Sequence, residues 1–524
     1  MKTRRPDLDV GRSTTTPGKL GPTSSADVRQ RTHWWKSTAW IVAFLSLTSL
    51  LQWNIPYPID DDTAYHFTVG QLINRHGILH SFPWTPLTWQ FDHYADKELL
   101  FHLLFLPLGG LGLLPAQRIV GAIAGAAILC VMYLVLRAER VRLAGLWVLL
   151  PLACGAFVFR FAQVRPHLLS IALAILLLWA VARGKLLIVA IVALIYPLAY
   201  VAFWQIPLAI IVAAESGRVL AGQPIRWQPA AVAAAGVAAG VLLHPNAANL
   251  LGLNWIHMAD VLYRNAWSAE NPDINIGNEY SPFPVVAWAR FLLVAVLMTA
   301  GAAVVVWRER RSSSIPMAFV FAAVIFGVLT AKTARFVEYF VPFSVLALAI
   351  STSKADRPGV VWSLLGASSV YAVLVGSAPY SHLASLDTKS GYIEPDTARQ
   401  FSQHVPVDSQ VFTCGWEYTG SLMVALPERR FVVVGEPTLL YKKNPDLFAV
   451  WNRLPLAAPP DAVTTIREQF KSRFVVCRNA RLYASLLDRL RLDPGVKTLV
   501  VSPRWVLFDV GDGSGNARSS TQGP

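Results

Sequence analysis

Apolar runs recur along this chain with polar turns between them. The first extends from Trp40 to Trp53, and others fall near 115–136, 143–159, 167–182, 185–201, 202–215, 229–243, 286–307, 315–331, 336–351 and 358–377. Most approach the roughly 17 to 25 residues that a helix needs to cross the hydrocarbon of a bilayer. Within lipid, a helix satisfies its own backbone hydrogen bonds segment by segment. The pattern predicts an α-helical polytopic membrane protein with about eleven transmembrane helices. One further run, Leu99–Leu114, is interrupted by Gly109, Gly110 and Gly112, and reads as a short helix that need not span.

The pattern changes at both ends. Residues 1–36 are polar and rich in Thr, Ser, Gly, Pro and Arg, which predicts a disordered tail. The first apolar run lacks a small-residue cleavage site after a short apolar core, so it reads as an anchor. Arg29, Arg31 and Lys36 precede it and place the tail in the cytoplasm by the positive-inside rule. The turns holding Arg137/Arg140/Arg142, Arg183/Lys185, Arg218/Arg226, Arg308/Arg310/Arg311 and Lys354/Arg357 then fall on the cytoplasmic side, as the span count requires. An odd number of spans leaves the C-terminal part outside the cytoplasm. There, across 381–510, stretches 411–413, 430–434, 474–477, 498–501 and 505–510 read as short strands, and 397–404, 462–471 and 481–490 as helices. The expected organisation is a membrane domain at 37–380 with its first outer loop at 54–114, then a small extracytoplasmic α/β domain. Residues 511–524 are Gly/Ser-rich and predict a disordered end.

Composition agrees with this class. The 524 residues are 54% apolar and 15% charged, with a mean hydropathy of +0.43, far from a soluble enzyme. The net charge of +14 lies mostly in the N-terminal tail, short loops and the last part of the chain, without a basic–aromatic platform. That distribution fits an anionic lipid surface and excludes a nucleic-acid partner. Cys130 and Cys154 fall inside apolar runs, where buried inert thiols are expected. Cys414 and Cys477 lie in the C-terminal region and are able to pair if it faces an oxidising space.

Candidate chemistry gathers at the outer face. Asp60, Asp61 and Asp62 follow the first span directly, where carboxylates are costly unless water, a cation or a partner charge accepts them. Thr63 to His76 suits an interfacial helix stopped by Gly77, with Asp62 as N-cap. Asp62 and His66 then share a face, and Gly70 leaves room beside them. The bland alternative is that these acids only cap a helix. Further on, Asp96, Lys97 and Glu98 lead into Leu99–His102. Arg160, Arg165, Lys332 and Arg335 break the orientation rule at outer helix ends, with His167 and Glu338 beside them, and arginine there suits a forked grip on phosphate. The alternative for these cations is snorkelling to headgroups. The long outer loop 244–290 adds His244, His257, Asp260, Glu270, Asp273 and Glu279. The aromatic loop Phe82–Trp89 suits either a stacked sugar or an interfacial anchor.

The run Asp60-Asp61-Asp62-Thr63-Ala64-Tyr65-His66-Phe67 with Gly70 resembles the Asp-x-Asp-x-x-x-His pattern of bacterial GT-C-like proteins. Asp96-Lys97-Glu98-Leu99-Leu100-Phe101-His102 and Arg165-Pro166-His167 resemble two further elements of that set. The likeness covers roughly 38–350, and similar proteins often end in a small outer α/β domain. The resemblance to the GT-C superfamily implies an inverting glycosyltransferase of the cytoplasmic (inner) membrane, taking a sugar from a polyprenyl-phosphate donor to an extracytoplasmic glycan, lipid or protein acceptor. On that reading Asp62, with Asp60 next and Asp61 beside them, is the base, and Asp60 or Asp62 is alternatively a ligand for Mg2+ or Mn2+. His66 and Glu98 orient the acceptor or a metal. Arg165, Arg335, Arg160 and Lys332 take the donor phosphate, while Asp96, Lys97, His102, His167 and Glu338 support the acceptor. A non-catalytic factor for polysaccharide assembly or export, and a secondary transporter, are the rival readings.

Overall fold

The structure, a computed structural model, describes residues 25–267, 274, 277–308, 314–353, 358–375, 377–384 and 391–511. Arg310, Arg311, Lys354 and Arg357, used above for orientation, lie outside these residues, as do Glu270, Asp273 and the segments 1–24 and 512–524. Two compact units divide the chain, Met1–Ala43 and Phe44–Pro524. The candidate site lies wholly in the second.

The long apolar runs are helices. Leu113–Ala138, Val285–Arg308, Ser314–Lys332 and Ala334–Ser351 are long and apolar enough to cross a membrane among the described residues, and two bent pairs raise the four to six if each is one span. Shorter apolar helices are Ser37–Trp53, His167–Arg183, Leu186–Ala199 and Gly359–Leu374. Four to six candidate spans therefore stand where the runs alone suggested about eleven. The breaks have local causes. In the run 143–159, Pro151 sits in a 3-10 turn, Cys154 has extended backbone, and the flanking segments bend by 94°. At His244-Pro245-Asn246 the helix Trp227–Leu243 meets Ala247–Arg264 at 115°. The N-terminal helix begins at Ser25, so residues 25–36, expected as part of a disordered tail, are helical.

The C-terminal part forms a five-stranded mixed sheet ordered β2-β1-β3-β5-β4, with β1 Gln410–Thr413, β2 Arg430–Phe431, β3 Phe474–Arg478, β4 Lys497–Val501 and β5 Trp505–Asp509. β1 is parallel to β2 and β3, while β5 runs antiparallel to β3 and β4. The two-residue period of β3 shows how the sheet is covered. Val475 and Cys477 face helices Pro445–Ala457, Ala462–Glu468 and Ala484–Leu492, through Trp451, Ile466 and Leu486. Phe474 and Val476 face the other way, into a core shared with Val69, Leu72, Phe82, Trp84 and Tyr94 of the first loop. The loop even reaches the sheet edge, where Phe431 N–H donates to Trp84 C=O at 2.7 Å. Cys414, after β1, is disulfide-bonded to Cys477 of the adjacent β3, with Cα atoms 5.2 Å apart.

Candidate functional site: a charged cavity over the helix ends

The first loop turns into helix Asp62–His76 one residue after Asp61. Asp60, not Asp62, performs the capping: its Oδ1 accepts the Thr63 N–H at 3.2 Å. Asp62 begins the helix, which leaves its carboxylate on the same face as His66, and both line a cavity of about 670 Å³. Gly70, one turn on, packs under the chain after Glu98; a Cβ there would lie 2.8 Å from His102 C=O. Helix Gly155–Ala162 and the loop after it bring Arg160 and Arg165 to the same cavity, and the 3-10 turn Ala334–Phe336 brings Arg335.

Arg165 ties the acidic cluster together. Its Nε lies 2.8 Å from Asp60 Oδ2, and its Nη1 lies 3.0 Å from Asp62 Oδ2 and 3.1 Å from Glu279 Oε2. Arg160 donates to Glu338 Oε2 through Nε and Nη2, and its Nη1 meets Glu279 Oε2 at 2.5 Å. Arg335 donates to the hydroxyls of Tyr280 at 2.6 Å and Tyr200 at 3.1 Å, with Glu279 Oε1 3.6 Å away. Glu279 is thus the hub of three guanidinium groups. Burial opposes its charge, but Arg160, Arg165 and Arg335 hold its carboxyl well below the usual range. Asp62 goes the other way: burial pushes its carboxyl up to about 6, helped by Asp60 and Glu279 and opposed by Arg165.

Behind this cluster is a buried relay of imidazoles. His66 Nδ1 lies 2.8 Å from His102 Nε2, and His102 Nδ1 lies 2.8 Å from Asp96 Oδ1. Glu98 Oε2 is 3.8 Å from His66 Nδ1. Burial, then His102 and Arg165, depress the His66 pKa well below its ordinary value, so the ring is neutral. Lys97 Nζ meets His257 Nε2 at 3.1 Å, and Glu436 Oε1 approaches the same nitrogen at 3.3 Å.

No family model and no curated protein sequence matches this chain. Solved structures do. ArnT from Cupriavidus metallidurans, bound to undecaprenyl phosphate, superposes with a TM-score of 0.57 at 14% identity, covering 93% of this chain and 99% of that one. The oligosaccharyltransferase of Archaeoglobus fulgidus, tethered with an acceptor peptide containing the NVT sequon, gives 0.56 at 14% identity, over 85% of this chain and 70% of that one. The oligosaccharyltransferase AglB from Archaeoglobus fulgidus, in complex with an inhibitory peptide and a dolichol-phosphate, gives 0.55 at 16% identity, with the same coverage. The fold is GT-C.

Within this fold the residues singled out from sequence separate into three groups. Asp62, His66, Lys97, Glu98, Arg160, Arg165, His167 and Arg335 line the cavity. Asp60, Asp96, His102 and Glu338 stand behind it, each bonded to a residue that does, Asp96 through the backbone N–H of Glu98. Asp61 and Lys332 take no part in the wall. Asp61 faces the sheet region, accepting the N–H groups of Gly420 and Ser421. Lys332 ends its helix exposed, off the cavity wall. Of the aromatic loop, Phe82 is fully buried and Trp84 nearly so in the core against the sheet, while Trp89 is half-buried. Arg165 also changes the metal question. One guanidinium already bridges Asp60 and Asp62, so a cation held by this pair would share both carboxylates with Arg165.

Sequence reasoning noted Glu279 and His257 without giving them a role, and it passed over Tyr200, Tyr280 and Glu436. The available signal was charge balance: three arginines converging at apolar helix ends require a buried acid, and Glu279 lies in the outer loop 244–290.

Proposed function

We propose that this chain is a membrane glycosyltransferase that moves a sugar from a polyprenyl-phosphate donor to an extracytoplasmic acceptor, with inversion at the anomeric carbon. The observation that carries the reading is that Asp62 and Arg335 open onto one cavity with Arg165 fixed between the carboxylates. Asp62 is the base. It takes the proton of the acceptor hydroxyl as that oxygen bonds to the anomeric carbon, while the carbon–oxygen bond to the phosphate breaks. Its raised pKa makes it a stronger proton acceptor while leaving it ionised near neutrality.

Arg165 positions Asp60 and Asp62 and is not available to the phosphate, because three carboxylates occupy it. Arg335 is the better phosphate ligand: its Nε has no hydrogen-bond partner among the described residues, and its other contacts are neutral phenols or a longer pairing to Glu279. A guanidinium there stabilises the charge that develops on the departing lipid phosphate. Arg160 is occupied by Glu338 and Glu279 and supports the site indirectly. The Cys414–Cys477 bridge supports a non-cytoplasmic position for the sheet, since such bonds persist in oxidising spaces.

Asp62→Asn and Arg335→Gln, each checked for membrane insertion, test the reading by lipid and glycan profiling of cells carrying them. Loss of one sugar-bearing product in both, with its lipid-linked donor accumulating, is expected. Unchanged product in both variants sinks the transferase reading in favour of a non-catalytic assembly factor.

A further inference from the structure

We propose that His66, Glu98 and His102 form a binding site for one divalent transition ion of the Zn2+ type. One donor atom from each residue lies within 4.8 Å of the other two. His66 Nδ1 stands 2.8 Å from His102 Nε2 and 3.8 Å from Glu98 Oε2. Around a tetrahedral ion with bonds of about 2.0–2.2 Å, neighbouring donors stand about 3.3 Å apart. The two distances from His66 each lie about half an ångström from that spacing.

Asp96 is the observation that separates a metal site from a chance pair of histidines. Its carboxylate accepts the Nδ1–H of His102, which leaves the His102 Nε2 lone pair aimed at His66. A carboxylate behind a ligating imidazole fixes the tautomer and makes the ring a better donor. Asp96 is held in turn by the Glu98 N–H at 3.1 Å, so the carboxylate behind the ring and a proposed ligand move together. Without an ion, His66 donates Nδ1–H to His102. Binding at Nδ1 moves that proton to His66 Nε2, and the ring stays neutral.

The donor set also selects the ion. Two neutral imidazoles and one carboxylate suit zinc and its neighbours, whereas Mg2+ and Ca2+ favour all-oxygen shells. His66 and Glu98 line the cavity, and His102 lies behind them. Three protein ligands with the remaining position facing a cavity is the arrangement of a reactive zinc site, where a water or substrate hydroxyl completes the tetrahedron. This site stands on its own ligands and does not depend on the glycosyl-transfer reading.

Full-length protein in detergent, stripped with EDTA, should take up about one equivalent of Zn2+ after desalting, counted by mass spectrometry, and its Co2+ form should show the intense visible bands of four-coordination. Glu98→Gln and His66→Gln should each abolish retention. Asp96→Asn should weaken affinity about 10- to 100-fold. If His66→Gln aggregates, the near-isosteric Glu98→Gln carries the comparison. Wild-type protein that retains no ion, or retention unchanged by Glu98→Gln and Asp96→Asn, overturns the proposal. So does retention lost in Asp62→Asn but kept in Glu98→Gln, which would move the ion to the transfer carboxylates. Counting the ion needs no sugar donor, so its outcome is independent of whether a transfer assay succeeds.

Discussion

Asp61 accepts the backbone N–H of Ser421 at 2.7 Å, although 360 positions separate the two residues. Together with the Gly420 N–H on its other oxygen, this contact fastens helix Thr419–Ala425 to the start of the first-loop helix. The fit is tight, because a Cβ on Gly420 would lie 2.5 Å from Asp61 C=O. The cavity wall depends on that docking: Trp416, Gly435 and Glu436 come from the sheet region, and Asp62 and His66 come from the loop. Replacing Asp61 by Ala strands two amides and should cost about 2 kcal/mol or more. Thermal unfolding in detergent should show the loss, with faster proteolysis between Asp61 and the sheet.

Asp62 sets a pH dependence with opposite signs for activity and stability. As a base it must be ionised, so the transfer rate should rise as pH passes up through about 6. The folded state holds a proton on Asp62 that the unfolded chain releases above its ordinary value of 3.8. Its contribution to stability is therefore full below 3.8 and is lost as pH rises through about 6. A rate profile flat from pH 5 to about 7 would assign the base elsewhere.

Glu279 is the shared counter-ion of Arg160, Arg165 and Arg335. Glu279→Gln leaves those guanidiniums facing one another, and breaking a buried pair by removing one partner costs about 3–5 kcal/mol. Arg160 is almost wholly buried, but the Glu279 side chain keeps 21% exposure, so the lower end is expected. The midpoint of thermal unfolding should fall, and Glu279→Asp should recover part of it.

Gly70→Ala tests the packing that holds the imidazole pair. The added methyl would stand 2.8 Å from both His102 C=O and Phe105 Cβ. Backbone must shift, at a cost of about 1–3 kcal/mol for overpacking. Because His102 moves with that backbone, retained Zn2+ should fall along with stability, whereas Gly110→Ala, with open space around it, should change neither.

The Cys414–Cys477 bond closes a loop of 63 positions across β1 and β3. Reduction, or Cys477→Ala, should destabilise the sheet by about 4 kcal/mol on the chain-entropy account. A reducing-agent titration followed by unfolding would read it. No change on reduction would show that the thiols are not paired in the purified protein.

Much of this molecule is legible in the local pattern. The long apolar runs became helices, and the stretches 411–413, 474–477, 498–501 and 505–510 became strands within a residue or so of their expected ends. The helices Thr419–Ala425, Thr438–Lys443 and Pro445–Ala457 were not anticipated: the first two are short, and the third opens on Pro445 and holds Pro455 within it. Arg160 and Arg165 stood out in the sequence as a breach of the charge rule. Whether those arginines were free for phosphate was not visible, since their partners lie more than a hundred positions away.

Sequence by itself determined what depends on neighbouring residues: a largely helical chain of long apolar runs, an acidic turn after the first apolar run, and a C-terminal part of mixed strands and helices. Hydrophobic period and charge at helix ends are local properties, and they survive folding. Tertiary structure alone decided the roles. Asp60, Asp61 and Asp62 are adjacent and chemically alike, yet one caps a helix and binds Arg165, one docks the sheet, and one faces the cavity. The physical reason is that successive side chains at a helix start point in different directions, so the surroundings that set each carboxylate's work come from Arg165, Ser421 and Glu279, all remote in the chain.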